Sequence, residues 1–287
     1  MKRHLLFHIM PDARNRWVWQ RCIDQLRARR HLFDGGRRIA AIATGGPELD
    51  PPDAVRRYAG DLFTDYVEVP NDPSLREVAT WCPLWESLFP HLGCTDHVLY
   101  AHAKGVTRPP DSAAHTWADM LFRTALDHPT PTAELLTRYP IVGSYLLTGD
   151  GYGPTLNPAQ PGVPHYTGTF FWLRADDIED HLAVPPPRLW FGVESWPRAA
   201  FAANEMGVLF HESPARTAGG YDPRWWRDKI IPEYREWLKL HPCETTESHS
   251  FFPHLHVSAD PPPKTVPRVK PRYRPASVGG YGTASLK

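Results

Sequence analysis

The stretch His165-Tyr-Thr-Gly168-Thr-Phe-Phe-Trp172 decides the fold that we expect for this chain. Its second half, which continues to Leu173, is a short apolar run rich in aromatic residues and is typical of a buried strand. Its first half supplies polar side chains and a glycine, where a ligand can approach the backbone because no side chain blocks it. The stretch predicts a core strand that begins beside a binding site, although on its own a hairpin with an ordinary aromatic core explains it better.

Two other stretches also place polar groups at the ends of apolar runs. Tyr100-Ala-His102-Ala-Lys104-Gly105 places a His and a Lys beside a glycine. These residues either bind a phosphate or diphosphate, or belong to an ordinary strand-to-loop turn. In Trp190-Phe-Gly-Val-Glu194-Ser-Trp196 a carboxylate among apolar neighbours is suited to base catalysis, or is a surface or helix-N-terminal Glu. Because α/β folds place their sites at strand ends, we expect the three stretches to form one site.

Charge, cysteines and hydropathy limit the class of protein. Lys plus Arg and Asp plus Glu are balanced at 32 each, so the whole molecule has no net bias toward nucleic acid or an anionic membrane. The four cysteines form no CxxC pair, which predicts neither a structural zinc site nor a disulfide framework. We see no apolar h-region at the N-terminus and no apolar run as long as a membrane span. We therefore expect a soluble, cytoplasmic protein.

Strands and helices alternate through the first half of the chain. The Asp12-Ala-Arg14-Asn15-Arg16 loop after the first strand lies where doubly wound folds receive a nucleotide, but no GxGxxG or P-loop is present. Ser74, followed three residues later by Glu77, has the pattern of a helix capping box. The alternation predicts an α/β domain at 1–243 with a mixed, mostly parallel sheet flanked by helices. Apolar runs predict strands at 5–10, 38–44, 66–69, 97–100, 141–145, 170–173 and 207–210.

The chain from 244 to 287 has a different composition. From Pro261 onward it carries six basic residues and no acidic one, which predicts an extended or disordered Pro/Arg-rich tail. This tail could contact an acidic partner or nucleic acid, or serve only as a linker. Three histidines in this region lack the companion ligands of a metal site and favour a solvated segment: His249, His254 and His256. The Gly/Pro-rich stretch at 148–164 is typical of a binding loop, a lid or a disordered segment.

Five motifs, taken in order, resemble those of bacterial glycosyltransferase-like proteins of the GT-A type. That group has an early "W…QL…SGL" helix, a strand ending in "HxKG", a "W…M" helix, a "HYSGNFWW" strand and an "E-x-W" element. The resemblance covers roughly residues 1–240 and leaves the tail out. The counterparts here are Trp19 through Gln25-Leu26 and Leu32-Phe33-Asp34, Tyr100 to Gly105, Trp117-Ala-Asp-Met120, His165 to Trp172, and Glu194-Ser-Trp196.

The resemblance implies a single GT-A-like (Rossmann-like) domain that binds a nucleotide-sugar donor at the C-terminal edge of its sheet. The donor would be a UDP- or GDP-sugar, and the acceptor a glycan or other polymer. Two departures matter: Thr169 stands where the family often has Asn, and His102-Ala-Lys104 stands where many GT-A enzymes carry a metal-binding Asp-x-Asp. Since two carboxylates suit Mn²⁺ or Mg²⁺ and a Lys does not, we expect transfer without a metal, with His211 as a possible ligand if one binds.

The expected enzyme is a glycosyltransferase in which Glu194 is the general base if transfer inverts the anomeric configuration. Charged and small residues would bind the donor and its phosphates, and a second group would shape the sugar and acceptor pocket. The donor group is Asp12, Arg14, His102, Lys104 and Gly105, and the pocket group is His165, Tyr166, Gly168, Thr169, Trp172 and Trp196. The alternative is a non-catalytic GT-A-like protein that binds a glycan or nucleic acid, which the missing carboxylate pair and the basic tail favour.

Overall fold

The computed structural model describes residues 1–147, 165–176, 178–213 and 222–245. The predicted loop at 148–164 lies outside the described residues, as do His249, His254, His256 and nearly all of the predicted tail. Two residues at the start of that tail belong to the folded domain. The backbone N–H of Glu244 donates to the carbonyl of Asp127, and the Thr245 hydroxyl donates to the Asp127 carboxylate at 2.9 Å. The packed domain therefore continues to Thr245 within the described chain.

A seven-stranded sheet forms the centre of the described part of the chain, in the order β3-β2-β1-β4-β8-β5-β9. Every neighbouring pair is parallel except those of β8, which runs antiparallel to both β4 and β5. The predicted α/β class with a mixed, mostly parallel sheet is confirmed. The strands are β1 (Arg3–Ile9), β2 (Arg38–Thr44), β3 (Asp65–Pro70), β4 (His97–His102), β5 (Ile141–Gly143), β8 (Phe171–Arg174) and β9 (Met206–Val208).

Three short strands form a second, smaller sheet in the described chain, in the order β10-β6-β7. The strands are β6 (Leu146–Leu147), β7 (His165–Tyr166) and β10 (Glu212–Ser213). β7 pairs with β6 in antiparallel register, so His165 lies opposite Leu147. The quoted stretch 165–172 therefore begins in the small sheet and ends in the large one. The bend at Gly168 and Thr169 joins the two sheets.

Helices cover both faces of the large sheet. Helices α3 and α7 pack on one face, and α1, α4 and α5 lie against the other. Within the described chain no helix has the length and apolar character needed to cross a bilayer. The helices are α1 (Arg16–Arg27), α2 (Pro52–Ala59), α3 (Glu77–Leu88), α4 (Ala114–Leu126), α5 (Pro129–Leu136), α6 (Ile178–Leu182), α7 (Gly192–Ala200), α8 (Pro223–Trp225) and α9 (Ile231–Leu240). A π-helical turn, Trp226–Ile230, connects α8 to α9.

The alternation of side chains along β1 explains both layers of the core. Leu5, Phe7 and Ile9 point to the face covered by α1 and α4, where Phe7 lies 6.4 Å from Phe122, measured between ring centroids. Leu6 points to the α3 face and belongs to a cluster rich in tryptophan. Because both faces are buried, the strand is apolar almost throughout, as expected of a parallel sheet with helices on each side. The next residue on the α3 face is His8, a polar group where the strand ends.

The predicted capping box at Ser74 is wrong. The Asp72 carboxylate accepts hydrogen bonds from both the backbone N–H and the hydroxyl of Ser74, so this serine closes a turn before the helix. α3 begins at Glu77, after Arg76, whose φ is +51°. The Glu77 side chain does not turn back to cap its own helix; it reaches β4 and pairs with His102. Glu77 therefore lies at the carboxyl end of β4, beside His102.

Candidate functional site

A cleft opens at the carboxyl edge of the large sheet, where β1 and β4 end and β8 begins. β1 and β4 pair in parallel with His8 opposite His102, so these two imidazoles lie side by side. The N-terminal end of α3 and the first turn of α7 complete the walls of the cleft, which is partly open to solvent and has a cavity volume of about 100 Å³. Charged and aromatic side chains line it, notably Arg76, Glu77, Lys104, Arg108, Trp190 and Glu194.

His102 is held by two hydrogen-bond acceptors. Its Nδ1 lies 2.7 Å from the Glu77 carboxylate, and its Nε2 lies 3.1 Å from the carbonyl oxygen of Gly168. Since neither partner can donate, both ring nitrogens form hydrogen bonds only when both carry a proton. The geometry therefore favours the imidazolium and places a positive charge at the end of β4.

Glu77 supplies the matching negative charge. Burial on its own would raise the pKa of this carboxyl, but the nearby charges of His102 and Lys104 and the hydrogen bond from His102 outweigh it and lower the pKa to about 2. Glu77 is therefore ionised throughout the neutral range. Together with the Gly168 carbonyl, the Glu77 carboxylate holds the His102 ring in one orientation.

Gly168 connects His102 to Glu194 through one residue's backbone. Its carbonyl accepts from His102, and its N–H donates to Glu194 Oε1 at 3.1 Å. The φ of Gly168 is +96°, and a Cβ built there would lie 2.6 Å from Cδ1 of Leu121. A glycine is required on both counts, since other residues avoid this φ and the space is already filled. The sequence predicts that a ligand approaches the backbone at Gly168; in the structure the side chains of His102 and Glu194 contact the backbone there.

Thr169 has an unusual backbone conformation next to that glycine. Its φ is +60°, its side chain is buried, and it lines the cleft. A β-branched residue in the left-handed region is a genuine outlier, and such strain is concentrated at functional sites. Asn adopts positive φ more readily than a β-branched residue does.

Lys104 lies across the cleft on the loop after β4. Its Nζ is 3.8 Å from the ring centroid of Trp117, a cation–π contact from α4. Burial lowers the pKa of this ammonium, while the carboxylates of Glu194 and Glu77 act in the opposite direction. The next residue, Gly105, has a φ of +93° and lets the loop turn along the cleft wall. The charges of Lys104 and Glu194, predicted from separate motifs, are thus brought together.

Three predicted pocket residues pack in the core and do not line the cleft. Tyr166 is fully buried, and its hydroxyl donates to the carbonyl of Gly207 at 2.8 Å. The indole N–H of Trp172 donates to Ala125 on the α4 side of the sheet. The indole N–H of Trp196 donates to the Val184 carbonyl on the other side. Each ring has its polar atom satisfied inside the protein, so none of the three offers an open face to a sugar.

Asp12 and Arg14 lie at the predicted edge but bind each other. The Asp12 carboxylate accepts from the backbone N–H and the guanidinium of Arg14, and this pairing is the main reason that the pKa of Asp12 is lowered. Arg14 itself is largely exposed. Neither lines the cleft described above.

Two predicted histidines also lie outside the cleft lining. His165 is buried in β7. His211 pairs with Glu233, with Nδ1 3.1 Å from the carboxylate. In the described ranges no group of three or more His, Cys, Asp or Glu side chains is placed to hold a metal ion.

The sequence did not reveal four residues that line the cleft: His8, Arg76, Glu77 and Arg108. The signal for His8 was present, because a polar residue interrupts the apolar run of β1 just where that strand ends. Glu77 was hidden by its helix-start position. Trp190 was noted only as an apolar neighbour of Glu194, yet it lies in the cleft wall, half exposed, with the Arg76 guanidinium 5.0 Å from its ring centroid.

Comparison with known proteins gives a likeness of fold only. No protein-family model matches the sequence, and no curated protein matches it. A putative nucleotide-diphospho-sugar transferase from Desulfovibrio desulfuricans G20 is 12% identical with a TM-score of 0.37, over 84% of this chain and 97% of that one. A 4-diphosphocytidyl-2C-methyl-D-erythritol synthase is 10% identical with a TM-score of 0.41, over 82% and 98%.

A third solved structure is a mannosyltransferase from Pyrobaculum calidifontis in complex with GDP-Man and Mn²⁺. It is 12% identical with a TM-score of 0.38, and the match covers 83% of this chain and 64% of that one. At these values the three matches give no information on chemistry. We therefore infer function from the cleft.

Proposed function

We propose that this protein is a glycosyltransferase that moves a sugar from a nucleotide-sugar, a UDP- or GDP-sugar, to a hydroxyl of a glycan or other polymer. The observation that carries the proposal is that one cleft holds a fixed imidazolium, His102, and a carboxylate, Glu194. His102 is bonded to the carbonyl of Gly168, and Glu194 is bonded to the N–H of the same residue. Such a site can neutralise a leaving diphosphate and accept a proton within one small volume. The closely placed Lys104 adds a second cation.

Positive charge in the cleft supports the binding of a diphosphate. Arg76, His102, Lys104 and Arg108 line it, against the carboxylates of Glu77 and Glu194. When the bond between the sugar and the diphosphate breaks, negative charge develops on the leaving oxygen. Cations fixed in advance beside that oxygen stabilise the transition state more than the ground state. The clamp on His102 by Glu77 and Gly168 provides that fixed orientation.

Glu194 is the group that we propose as general base. As the new glycosidic bond forms, the proton of the acceptor hydroxyl passes to the Glu194 carboxylate, and the nucleoside diphosphate leaves with the electrons of its bond to the sugar. The N–H of Gly168 fixes Oε1 of Glu194, which orients the carboxylate. A positioned base contributes about 10² to 10⁴ in rate.

Among the described residues, the side chains that line the cleft fit a divalent metal ion poorly. Such ions need several hard oxygen ligands, and the two carboxylates here already face cations: Glu77 binds His102, and Glu194 lies near Lys104. A metal ion would have to displace these partners. We therefore assign the charge neutralisation to the protein's own side chains.

Trp190 is the aromatic surface that we propose for the acceptor. It is half exposed at the cleft wall, four residues before Glu194, whereas Trp172 and Trp196 are buried. An exposed indole offers the flat apolar face on which a sugar ring packs. The guanidinium of Arg76 near this ring restrains its orientation.

Calorimetric titration with UDP-, GDP-, CMP- and dTDP-sugars tests the proposal. We expect one nucleotide class to bind without added metal and Lys104→Ala to weaken that binding about tenfold, the loss of one charge-assisted contact. Lys239→Ala is the matched control, since it removes the same charge at an exposed position on α9 and should bind like the wild type. A folded wild type that binds no donor, or equal weakening by both variants, contradicts the proposal.

A second candidate, a non-catalytic binder of a glycan or nucleic acid, has one observation in its favour. Both cleft carboxylates already accept hydrogen bonds from the protein, Glu77 from His102 and Glu194 from Gly168. Under this alternative the carboxylates only shape a charged cleft. Binding of a nucleotide-sugar without any release of nucleoside diphosphate, with or without an acceptor, would favour it.

A further inference from the structure

His8 is a buried imidazole in the cleft wall that the proposed reaction does not use. It is only 6% exposed and lies at the end of β1, beside His102 in the neighbouring strand. Its Nδ1 lies 3.0 Å from the hydroxyl of Thr80 on α3. Within the described part of the chain no hydrogen bond engages Nε2, although His8 lines the cleft.

The hydrogen bonds of Thr80 determine which nitrogen of His8 carries the proton. The Thr80 hydroxyl donates its single hydrogen to the carbonyl of Glu77 at 2.9 Å, one turn back along α3. It can therefore only accept at His8, so Nδ1 of His8 is the donor. In a neutral ring the other nitrogen, Nε2, is then an unprotonated acceptor.

The surroundings of His8 keep the ring neutral. Burial lowers the pKa of His8 to about 4; the positive charge of His102 acts in the same direction, and the carboxylate of Glu77 opposes it. Two neighbouring histidines are thus held in different states, His102 by acceptors on both nitrogens and His8 by an acceptor on one. Such divergent environments for adjacent groups are the usual basis for different roles.

We propose that His8 Nε2 accepts a hydrogen bond from a hydroxyl of the bound ligand and so selects a polyol-bearing diphosphate over a bare one. The inference rests on the proposed function and adds to it a neutral acceptor next to the cations. A deprotonated phosphate oxygen has no hydrogen to donate to Nε2, so this nitrogen contributes less to binding a bare diphosphate than to binding a ligand that carries hydroxyls. The hydroxyl belongs either to the ribose of the nucleotide or to the transferred sugar.

Calorimetric titrations at neutral pH with three probes separate the binding of the diphosphate, of the ribose and of the transferred sugar. The probes are inorganic pyrophosphate, the nucleoside diphosphate and the intact nucleotide-sugar. His8→Leu removes the acceptor, and His8→Gln keeps an amide oxygen at about the position of Nε2. We expect all three proteins to bind pyrophosphate equally. We expect His8→Leu to weaken one or both of the hydroxyl-bearing probes about tenfold, and His8→Gln to restore most of that affinity.

The pattern of losses decides the inference. Weakening of the nucleoside diphosphate assigns the hydroxyl to the ribose, and weakening of the nucleotide-sugar alone assigns it to the transferred sugar. Equal weakening of pyrophosphate, or no change with any probe, overturns the role of His8. A folded wild type that binds none of the three probes refutes the proposed function itself.

An NMR measurement tests the proton assignment without any ligand, even if His8→Leu does not fold. The ¹⁵N signals of the His8 ring should report a neutral imidazole with the proton on Nδ1. Thr80→Val, which keeps the side-chain shape but removes the oxygen, should shift the ring toward the Nε2–H tautomer. A wild-type ring that is protonated on Nε2, or doubly protonated, would overturn the inference.

Discussion

Replacement of Gly168 by alanine should destabilise the protein through two separable effects. The first is conformational, because alanine at a φ of +96° costs about 1–2 kcal/mol. The second is steric, because the new Cβ would lie 2.6 Å from Cδ1 of Leu121, a fully buried side chain of α4. Overpacking of a filled core costs about 1–3 kcal/mol. The free energy of unfolding should therefore fall by about 2–5 kcal/mol.

Gly45 is a matched control for the conformational effect alone. Its φ is +92°, close to that of Gly168, but a Cβ built there meets nothing within 4 Å. Gly45→Ala should therefore lose only about 1–2 kcal/mol. Urea unfolding of both variants, analysed with a shared m-value, gives the difference, which we expect to be about 1–3 kcal/mol larger for Gly168→Ala.

The same pair of variants tests the role of Gly168 as the connection between His102 and Glu194. Gly168→Ala should also weaken nucleotide-sugar binding, because a shift of this peptide moves both side chains that it binds. Gly45→Ala should leave the binding unchanged. Equal stability losses in the two variants would refute the steric argument, and unaltered ligand binding by a folded Gly168→Ala would refute the connecting role.

Three further predictions concern residues around the cleft. Thr169→Asn should raise the free energy of unfolding by about 0.5–1 kcal/mol, because Asn tolerates the φ of +60° better than Thr does. A variant with a lower melting temperature than the wild type would contradict the claim that the backbone of Thr169 is strained. The pKa of Glu77 is lowered from 4.5 to about 2, so its stabilisation, about 3 kcal/mol, should be complete above pH 4.5 and be lost as the pH falls toward 2. The free energy of unfolding of Glu77→Gln, measured over this pH range, should lack this pH-dependent contribution. A variant whose stability falls with pH as that of the wild type does would contradict the prediction. Trp190→Ala should weaken acceptor binding with little effect on stability. Trp17→Ala, which removes an exposed ring outside the cleft lining, should leave acceptor binding intact. Equal effects of the two substitutions on acceptor binding would contradict the role of Trp190 as the surface that binds the acceptor.

The regular part of the fold could be predicted from the sequence because it depends on local patterns. The apolar run at β2 was placed at its observed bounds, Arg38–Thr44, and the strand ending at His102 and the strand after Gly168 were also found. Unbroken apolar runs separated by amphipathic helices indicate a sheet buried on both faces.

The membership of the site was predictable only in part. His102, Lys104, Gly105, Thr169 and Glu194 do meet in one cleft. The sequence shows where strands end, and parallel strand ends share an edge, which explains why these five residues lie together. It could not show which aromatic rings face the ligand, because a tryptophan has the same pattern whether it packs in the core, as Trp196 does, or borders a cleft, as Trp190 does.

Glu77 was mistaken for a different reason. Its spacing from Ser74 satisfies the capping-box pattern, and nothing local reveals that Asp72 takes over the turn. The carboxylate is then available for His102, a partner on another strand. Long-range pairs of this kind depend on the packing of α3 on the sheet, which short sequence patterns do not encode.

The most direct test of the account is a turnover measurement on Glu194→Gln beside the wild type. Each protein receives the nucleotide-sugar that it binds and a panel of glycan acceptors, and release of nucleoside diphosphate and the mass of the acceptor are followed together. We predict that the variant binds the donor as the wild type does, because the amide oxygen can still accept from Gly168, while transfer falls by about 10² or more. Transfer by Glu194→Gln at the wild-type rate would contradict the assignment of the base, and a wild type that binds the donor but never modifies an acceptor or releases the diphosphate would contradict the enzyme.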